Sequence, residues 1–233
     1  MIHRAIEERI HNALAKKKAV TIMGPRQVGK STLADAIIPK DARILEINGD
    51  NTDVQTMFIN VDEAKMKVLI GNKNFLFVDE AQKIENVGNM LKIVAEKFKD
   101  VKIIVTGSSA FKLAEAVNES LTGRKREFRL YPLSFKEMAD ETSTLEESRM
   151  IDHRLIYGYY PEVVTSPGDE KEVLKELIDS YLYKDVMEEN NIAKPDKLVK
   201  LVQALAFQIG STVSANELAG LVGIDAKTVE RYI

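Results

Sequence analysis

Ala19-Val20-Thr21-Ile22-Met23-Gly24-Pro25-Arg26-Gln27-Val28-Gly29-Lys30-Ser31 is the stretch whose reading decides the fold of this chain. Val20–Met23 is a short apolar run of the kind carried by a strand covered on both faces. Gly24 to Ser31 reads GPRQVGKS and fits G-x-x-x-x-G-K-[ST], a loop shaped to hold a polyphosphate. Thr32 to Ile38 then reads as the start of a helix. Strand, glycine-rich loop and helix agree with one another, which a chance glycine turn would not require.

The residue types suit the chemistry. A triphosphate needs several donors close together and no Cβ in the way. Gly24 and Gly29 let the backbone curl, and the helix behind them offers unpaired N–H groups and the positive end of its dipole. Lys30 can place an ammonium on the β- and γ-phosphates, and Ser31 a hydroxyl on a magnesium ion.

Further along, Arg43–Asn48 alternates like a strand, and Gly49-Asp50-Asn51 reads as a turn. Residues to about Asn72 read as two helical pieces. Asn72-Lys73 begins like a guanine-reading N-K-x-D motif, but the fourth residue is Phe75, so nothing favours GTP over ATP. Phe75–Val78 is a continuous apolar run ending in Asp79-Glu80, and Lys102–Thr106 another, ending in Gly107-Ser108-Ser109. A helix over Gly88–Phe98 lies between them, a short one over Phe111–Glu119 follows, and Glu127–Tyr131 reads as a last strand closed by Pro132. Before the loop, Ile2, Ile6, Ile10 and Leu14 fall on one helical face, which predicts a leading helix at the sheet edge.

This alternation predicts an α/β fold: a P-loop NTPase parallel sheet with helices on both faces. Ligands of such sheets bind at the carboxyl ends of the strands. Gly24, Asp79 and Ser108 all fall there. Asp79 can hold the magnesium opposite Ser31, and Glu80 can orient and activate the attacking water. Ser108 or Ser109 can reach the γ-phosphate, although a serine there also suits a helix N-cap. Arg124 and Arg126 follow Leu121-Thr122-Gly123, and either a charged strand edge or a late positive charge for phosphoryl transfer fits them.

From about Ser134 the strand signals stop. Glu146–Tyr157, Asp169–Glu189 and Asp196–Ile209 read as helices. Ser214-Ala215-Asn216-Glu217 reads as a capping box, Gly223-Ile224-Asp225 as a turn with Asp225 as a cap, and Ala226–Ile233 as a second helix. The pair has a helix-turn-helix pattern, with Lys227 and Arg231 able to face outward together. The sequence stops inside that second helix, which leads us to expect further sequence beyond it.

The 33 basic and 36 acidic residues of this 233-residue chain exclude polyanion binding by net charge alone. With no cysteine there is no disulfide framework, cysteine-bound zinc or thiol nucleophile. His3, His11 and His153 form no ligand cluster in sequence. An early Glu7-Glu8 and the lack of a signal core or spanning segment lead us to expect a cytoplasmic protein without a membrane partner.

With these residues in place, the chain resembles the prokaryotic AAA-type ATPases that carry an additional uncharacterised C-terminal domain. The resemblance rests on GPRQVGKS (24–31), FLFVDEAQKI (75–84), VTGSSAFKL (105–113), LTGR (121–124), LYPLSFKE (130–137), YPEVV (160–164) and YLYKDV (181–186). Gly158-Tyr159 departs from the two glycines usual before Tyr-Pro. The resemblance implies ATP bound on Gly24, Pro25, Arg26, Gln27, Val28, Gly29, Lys30, Ser31 and Thr32, and magnesium at Ser31 and Asp79. It also implies Glu80 as catalytic base, Ser108 as nucleotide sensor and Arg124 as a candidate finger. Three regions are expected: a P-loop core (1–133), a helical lid-like region (134–204) and an incomplete winged-helix start (205–233). The expected function is slow ATP hydrolysis, speeded by self-association or by a partner that supplies an arginine. The alternative is a nucleotide-gated DNA-binding or scaffold module in which turnover is incidental.

Overall fold

The computed structural model describes residues 2–108, 120–180 and 195–233. The expected helix over Phe111–Glu119, Ser109, the far half of the helix expected over Asp169–Glu189, and the YLYKDV segment lie outside the described residues. By its contacts the chain forms two compact units, Met1–Glu170 and Lys171–Ile233.

Five parallel strands make the sheet of the first unit: β1 (Ala19–Met23), β2 (Ile44–Asn48), β3 (Phe75–Asp79), β4 (Lys102–Gly107) and β5 (Lys125–Arg129), in the spatial order β2-β3-β4-β1-β5. β4 therefore lies between the strand that leads into the phosphate loop and the strand that ends in Asp79. Side chains alternate across the pleat, so each apolar run feeds two cores. Ala19, Met23, Leu76, Val78, Ile103 and Val105 pack on one face against α4 (Glu63–Ile70) and α5 (Val87–Lys97). Val20, Ile22, Phe75, Phe77 and Ile104 pack on the other against α1 (Glu7–Ala15) and α2 (Lys30–Ile37). Both faces being buried is why these strands read as continuous apolar runs. α3 (Thr52–Phe58) adds Phe58 to the first face.

Three details differ from the sequence reading. The leading helix begins only at Glu7 and lies on a sheet face, with Ile10 and Leu14 beside Val20, Ile22 and Phe128, not at the edge. Ile2 precedes the helix altogether. β5 starts earlier than expected, at Lys125, because its register on β1 runs from Ala19↔Lys125 to Met23↔Arg129. As the edge strand it tolerates the charged Lys125-Arg126-Glu127. The single helix expected over 146–157 is two: α7 (Thr144–Arg149) and α8 (Ile151–Tyr157) meet at Met150, which caps both with φ −87° and ψ 0°. A buried ion pair spans the break, Arg154 Nε to Glu147 Oε1 at 3.0 Å. α6 (Phe135–Glu141) and α9 (Pro161–Thr165) are the remaining α-helices of this unit among the described residues.

α10 (Glu170–Ser180) runs from its end into the second unit, where α11 (Pro195–Ala206), α12 (Ala215–Val222) and α13 (Ala226–Tyr232) follow. Leu201, Leu218, Val222 and Val229 form its core. Gly223 ends α12 in the left-handed conformation, and the Asp225 carboxylate accepts the Thr228 amide as expected of a cap. The capping box expected at Ser214 does not form. Ser214 is the N-cap of α12, but its side chain accepts no amide hydrogen bond. No helix among the described residues is long and apolar enough to cross a membrane.

Candidate functional site

β1 ends at Met23 and hands the chain to the loop. Gly24 has no alternative: a Cβ there would sit 2.2 Å from the Leu130 carbonyl oxygen. Gln27 and Gly29 both take positive φ, 58° and 89°, which curls the loop. Val28 is fully buried, and its side chain belongs to the core beside Leu33 and Ile37. Gly29 is the N-cap of α2 and offers no side-chain cap, so the first amides of that helix are free for an anion.

Lys30 is 5 % exposed, and its ammonium donates to Gly24 O at 3.1 Å and Pro25 O at 2.9 Å. It lies 3.7 Å from Glu80 Oε1. Burial pulls its pKa below the ordinary lysine value, although Glu80 and Asp79 pull the other way.

Ser31 Oγ donates to Asp79 Oδ2 at 2.8 Å. Asp79 Oδ1 accepts the Thr106 hydroxyl and, at 3.2 Å, the Glu80 amide. Hydroxyl and carboxylate are hard oxygen donors, and these two oxygens, with the helix amides beside them, fit magnesium on a polyphosphate.

Glu80 follows in the left-handed region, φ 46° and ψ 46°, a conformation that costs a side-chain-bearing residue about 1–2 kcal/mol. Gly49 makes room for it. A Cβ at Gly49 would meet the Glu80 carbonyl oxygen at 2.3 Å, and the Gly49 amide donates to Asp79 O at 2.8 Å. The Glu80 carboxylate accepts from the Gln82 side-chain amide and, at 3.1 Å, from Ser108 Oγ. Gln82 Nε2 also donates to Ser108 Oγ at 2.9 Å.

Lys30, Ser31, Asp79, Glu80 and Ser108 thus meet at the carboxyl ends of β1, β3 and β4. Arg124 does not join them. Its carbonyl accepts the Ala19 amide at 2.9 Å, and its guanidinium pairs with Glu96 Oε1 at 2.7 Å. That is the amino end of β1, one strand length from the loop, roughly 15 Å at the usual rise of a five-residue strand. The sequence reading gave no role to Thr106, Gln82 or Gly49. Gln82 stands in the quoted DEAQ run, and the glycine after β2 was available as a signal.

Beside the loop is a cavity of about 450 Å³, lined by Val28, Leu33, Leu133 and Met138 and also by Arg4, Glu7 and Thr32.

The AAA domain family matches residues 16–139, which is more than half of the sequence. The chain belongs to that family. Residues 148–233 match a domain of unknown function (DUF8612). An uncharacterized protein of Methanocaldococcus jannaschii is 27% identical over 94% of this chain and 53% of its own length. One of Haemophilus influenzae is 28% identical over 69% of this chain and 42% of its own. The chain therefore spans about half the length of the curated relatives it matches. Among solved structures, the Walker-type ATPase of Pyrococcus abyssi superposes with a TM-score of 0.56 at 16% identity, covering 89% of this chain and 80% of that one. A STAND signal-transduction ATPase with a tetratricopeptide-repeat sensor from Pyrococcus horikoshii gives 0.51 at 14%, covering 80% and 34%. At such identities the likeness is one of fold: the AAA-type P-loop architecture.

Proposed function

We propose that this chain binds ATP with magnesium on the phosphate loop and hydrolyses it. The observation that carries the reading is the convergence of Lys30, Ser31, Asp79 and Glu80 at three neighbouring strand ends. The Gly24 amide is donated to Gly107 O, so the loop amides from Arg26 to Gly29 and those opening α2 at Lys30, Ser31 and Thr32 hold the phosphates, and the Lys30 ammonium neutralises the β- and γ-oxygens. Pro25 has no amide proton and shapes the turn. Ser31 Oγ and the Asp79 carboxylate hold the magnesium. Magnesium there would supply a Lewis acid for the charge on the phosphate oxygens. Glu80 accepts a proton from the attacking water, and Ser108, already bonded to that carboxylate, reaches the γ-phosphate. The cavity beside the loop takes the adenine, whose flat apolar faces suit its aliphatic walls.

Arg124 lies at the far end of the strands and would serve the site of a neighbouring subunit, where an arginine is worth ~10³–10⁵ in rate. Hydrolysis by the isolated chain is then slow and rises with self-association. Phosphate release by wild type and Glu80→Gln tests the reading. The variant is expected to keep ATP binding and lose turnover; equal rates would remove Glu80 from the mechanism.

A further inference from the structure

The carbonyls of a phosphate loop need partners as its amides do, and Gly24 O and Pro25 O accept the Lys30 ammonium. In this chain another partner comes from far away. Arg4, ahead of α1, is 7 % exposed, and its guanidinium makes three directed bonds. Nη1 donates to Val28 O at 2.9 Å, Nη2 to Tyr131 O at 2.6 Å, and Nε to Glu137 Oε1 at 3.1 Å.

Val28 O and the Gly29 N–H belong to the same peptide unit. A trans peptide is planar, and its C=O and N–H point in opposite directions. A group that holds Val28 O on the outside of the loop therefore aims the Gly29 N–H inward. The hold matters because the unit can turn: Gly29 stands at φ 89°, and glycine adopts either sign of φ at little cost. A flipped unit would present a carbonyl oxygen to the phosphates where a donor is required.

The guanidinium is itself held. Glu137 is nearly buried and accepts the Ala5 amide at 2.9 Å on Oε1, and the Ser134 amide at 2.8 Å and hydroxyl at 3.0 Å on Oε2. With the Glu137 amide on Ser134 Oγ, these bonds close the capping box that starts α6. One network thus joins the loop, the segment after β5 and the first turn of the helical region. Its members are paired, and a planar fork with three bonded nitrogens is what lysine cannot imitate.

We propose that Arg4 is a positioning residue for phosphate binding: it locks the Val28–Gly29 peptide with its N–H facing the phosphates, and Glu137 fixes the guanidinium that does so. This rests on the phosphate-loop reading above.

The test measures Mg-ATP affinity by calorimetry, steady-state kinetics, and thermal unfolding without nucleotide, for wild type, Arg4→Ala, Arg4→Lys, Glu137→Gln and Lys30→Ala. Arg4→Ala is expected to weaken Mg-ATP about tenfold or more, with KM rising and kcat at saturation close to wild type, the pattern of an interaction present in ground and transition states alike. Arg4→Lys should recover part of the affinity and Glu137→Gln lose severalfold. In ¹H–¹⁵N spectra the Gly29 amide should lose its nucleotide-induced shift in Arg4→Ala. If Arg4→Ala does not fold, Glu137→Gln and Arg4→Lys decide: wild-type affinity and an unchanged Gly29 shift in both would overturn the proposal. So would a folded Arg4→Ala that binds as wild type does, while Lys30→Ala does not. Failure of wild type itself to bind Mg-ATP would instead remove the phosphate-loop reading and this proposal with it.

Discussion

Ser31 Oγ and Asp79 Oδ2 lie 2.8 Å apart, joining the first turn of the helix behind the phosphate loop to the end of a strand two positions across the sheet. β4 lies between β1 and β3, and its Thr106 hydroxyl holds the other Asp79 oxygen. The interposed β4 thus sets two hard oxygens side by side, in direct hydrogen-bond contact.

That geometry predicts a metal-specific loss. Asp79→Asn and Ser31→Ala should each weaken ATP binding about tenfold or more when magnesium is present, and little when it is chelated. Calorimetric titrations with and without the metal give the comparison. An equal loss in both conditions would place these residues outside the metal site.

A substitution at Gly49 is expected to act on turnover more than on binding. A Cβ at this position collides with the Glu80 backbone, not with a movable side chain, so Gly49→Ala must shift Glu80. Phosphate release should fall by about tenfold or more, the scale of a displaced general base, and Mg-ATP affinity should fall by less, because the same Cβ would lie 3.2 Å from Asp79 O but away from the loop. Unchanged kcat in a folded variant contradicts the role given to Glu80's backbone.

Such contacts mark the limit of what the sequence discloses. β1, β3, β4 and the loop are legible because both faces of those central strands are buried, which gives continuous apolar runs, whereas the edge strands β2 and β5 bury one residue each and read less sharply. Lys30, Ser31, Asp79, Glu80 and Ser108 are legible as strand-end residues. Gly49 reads as an ordinary turn, because its approach to Glu80 spans residues far apart in sequence. The Ser134–Glu137 box forms while the Ser214–Glu217 box, with the same spacing, does not: Glu137 is drawn in by Arg4 and the Ala5 amide, a tertiary partnership no local pattern announces. The break at Met150 escapes the periodicity reading for a similar reason, since the Glu147–Arg154 pair spans it.

Glu137 carries a pH signature. Burial pushes its pKa up, but the Ala5 and Ser134 amides and the Arg4 guanidinium outweigh this and hold it below the ordinary carboxylate value. A depressed folded-state pKa means stability that is fully present above the unfolded value and lost as pH falls through the folded one. Glu137→Gln should therefore lower the melting temperature near pH 7, and the gap from wild type should narrow as the pH drops through the carboxylate range. A gap constant with pH would show that the charge is not what stabilises the network.

Thr21 offers a gain in stability. It is fully buried in the middle of β1, on the face that carries Ala19 and Met23, and its hydroxyl has no hydrogen-bond partner among the described residues. Thr21→Val keeps the shape and removes the stranded polar group, which should add about 1 kcal/mol. For a chain of this size that is a rise in melting temperature of about 2–4 °C, with Mg-ATP affinity unchanged. A fall in melting temperature would mean that the hydroxyl has a partner.

The most direct test of the central claim is a calorimetric titration of Mg-ATP into wild type and Lys30→Ala. The account predicts one saturable site per chain in wild type and its loss in a variant that remains folded by circular dichroism. Equal affinity in the two proteins would contradict it.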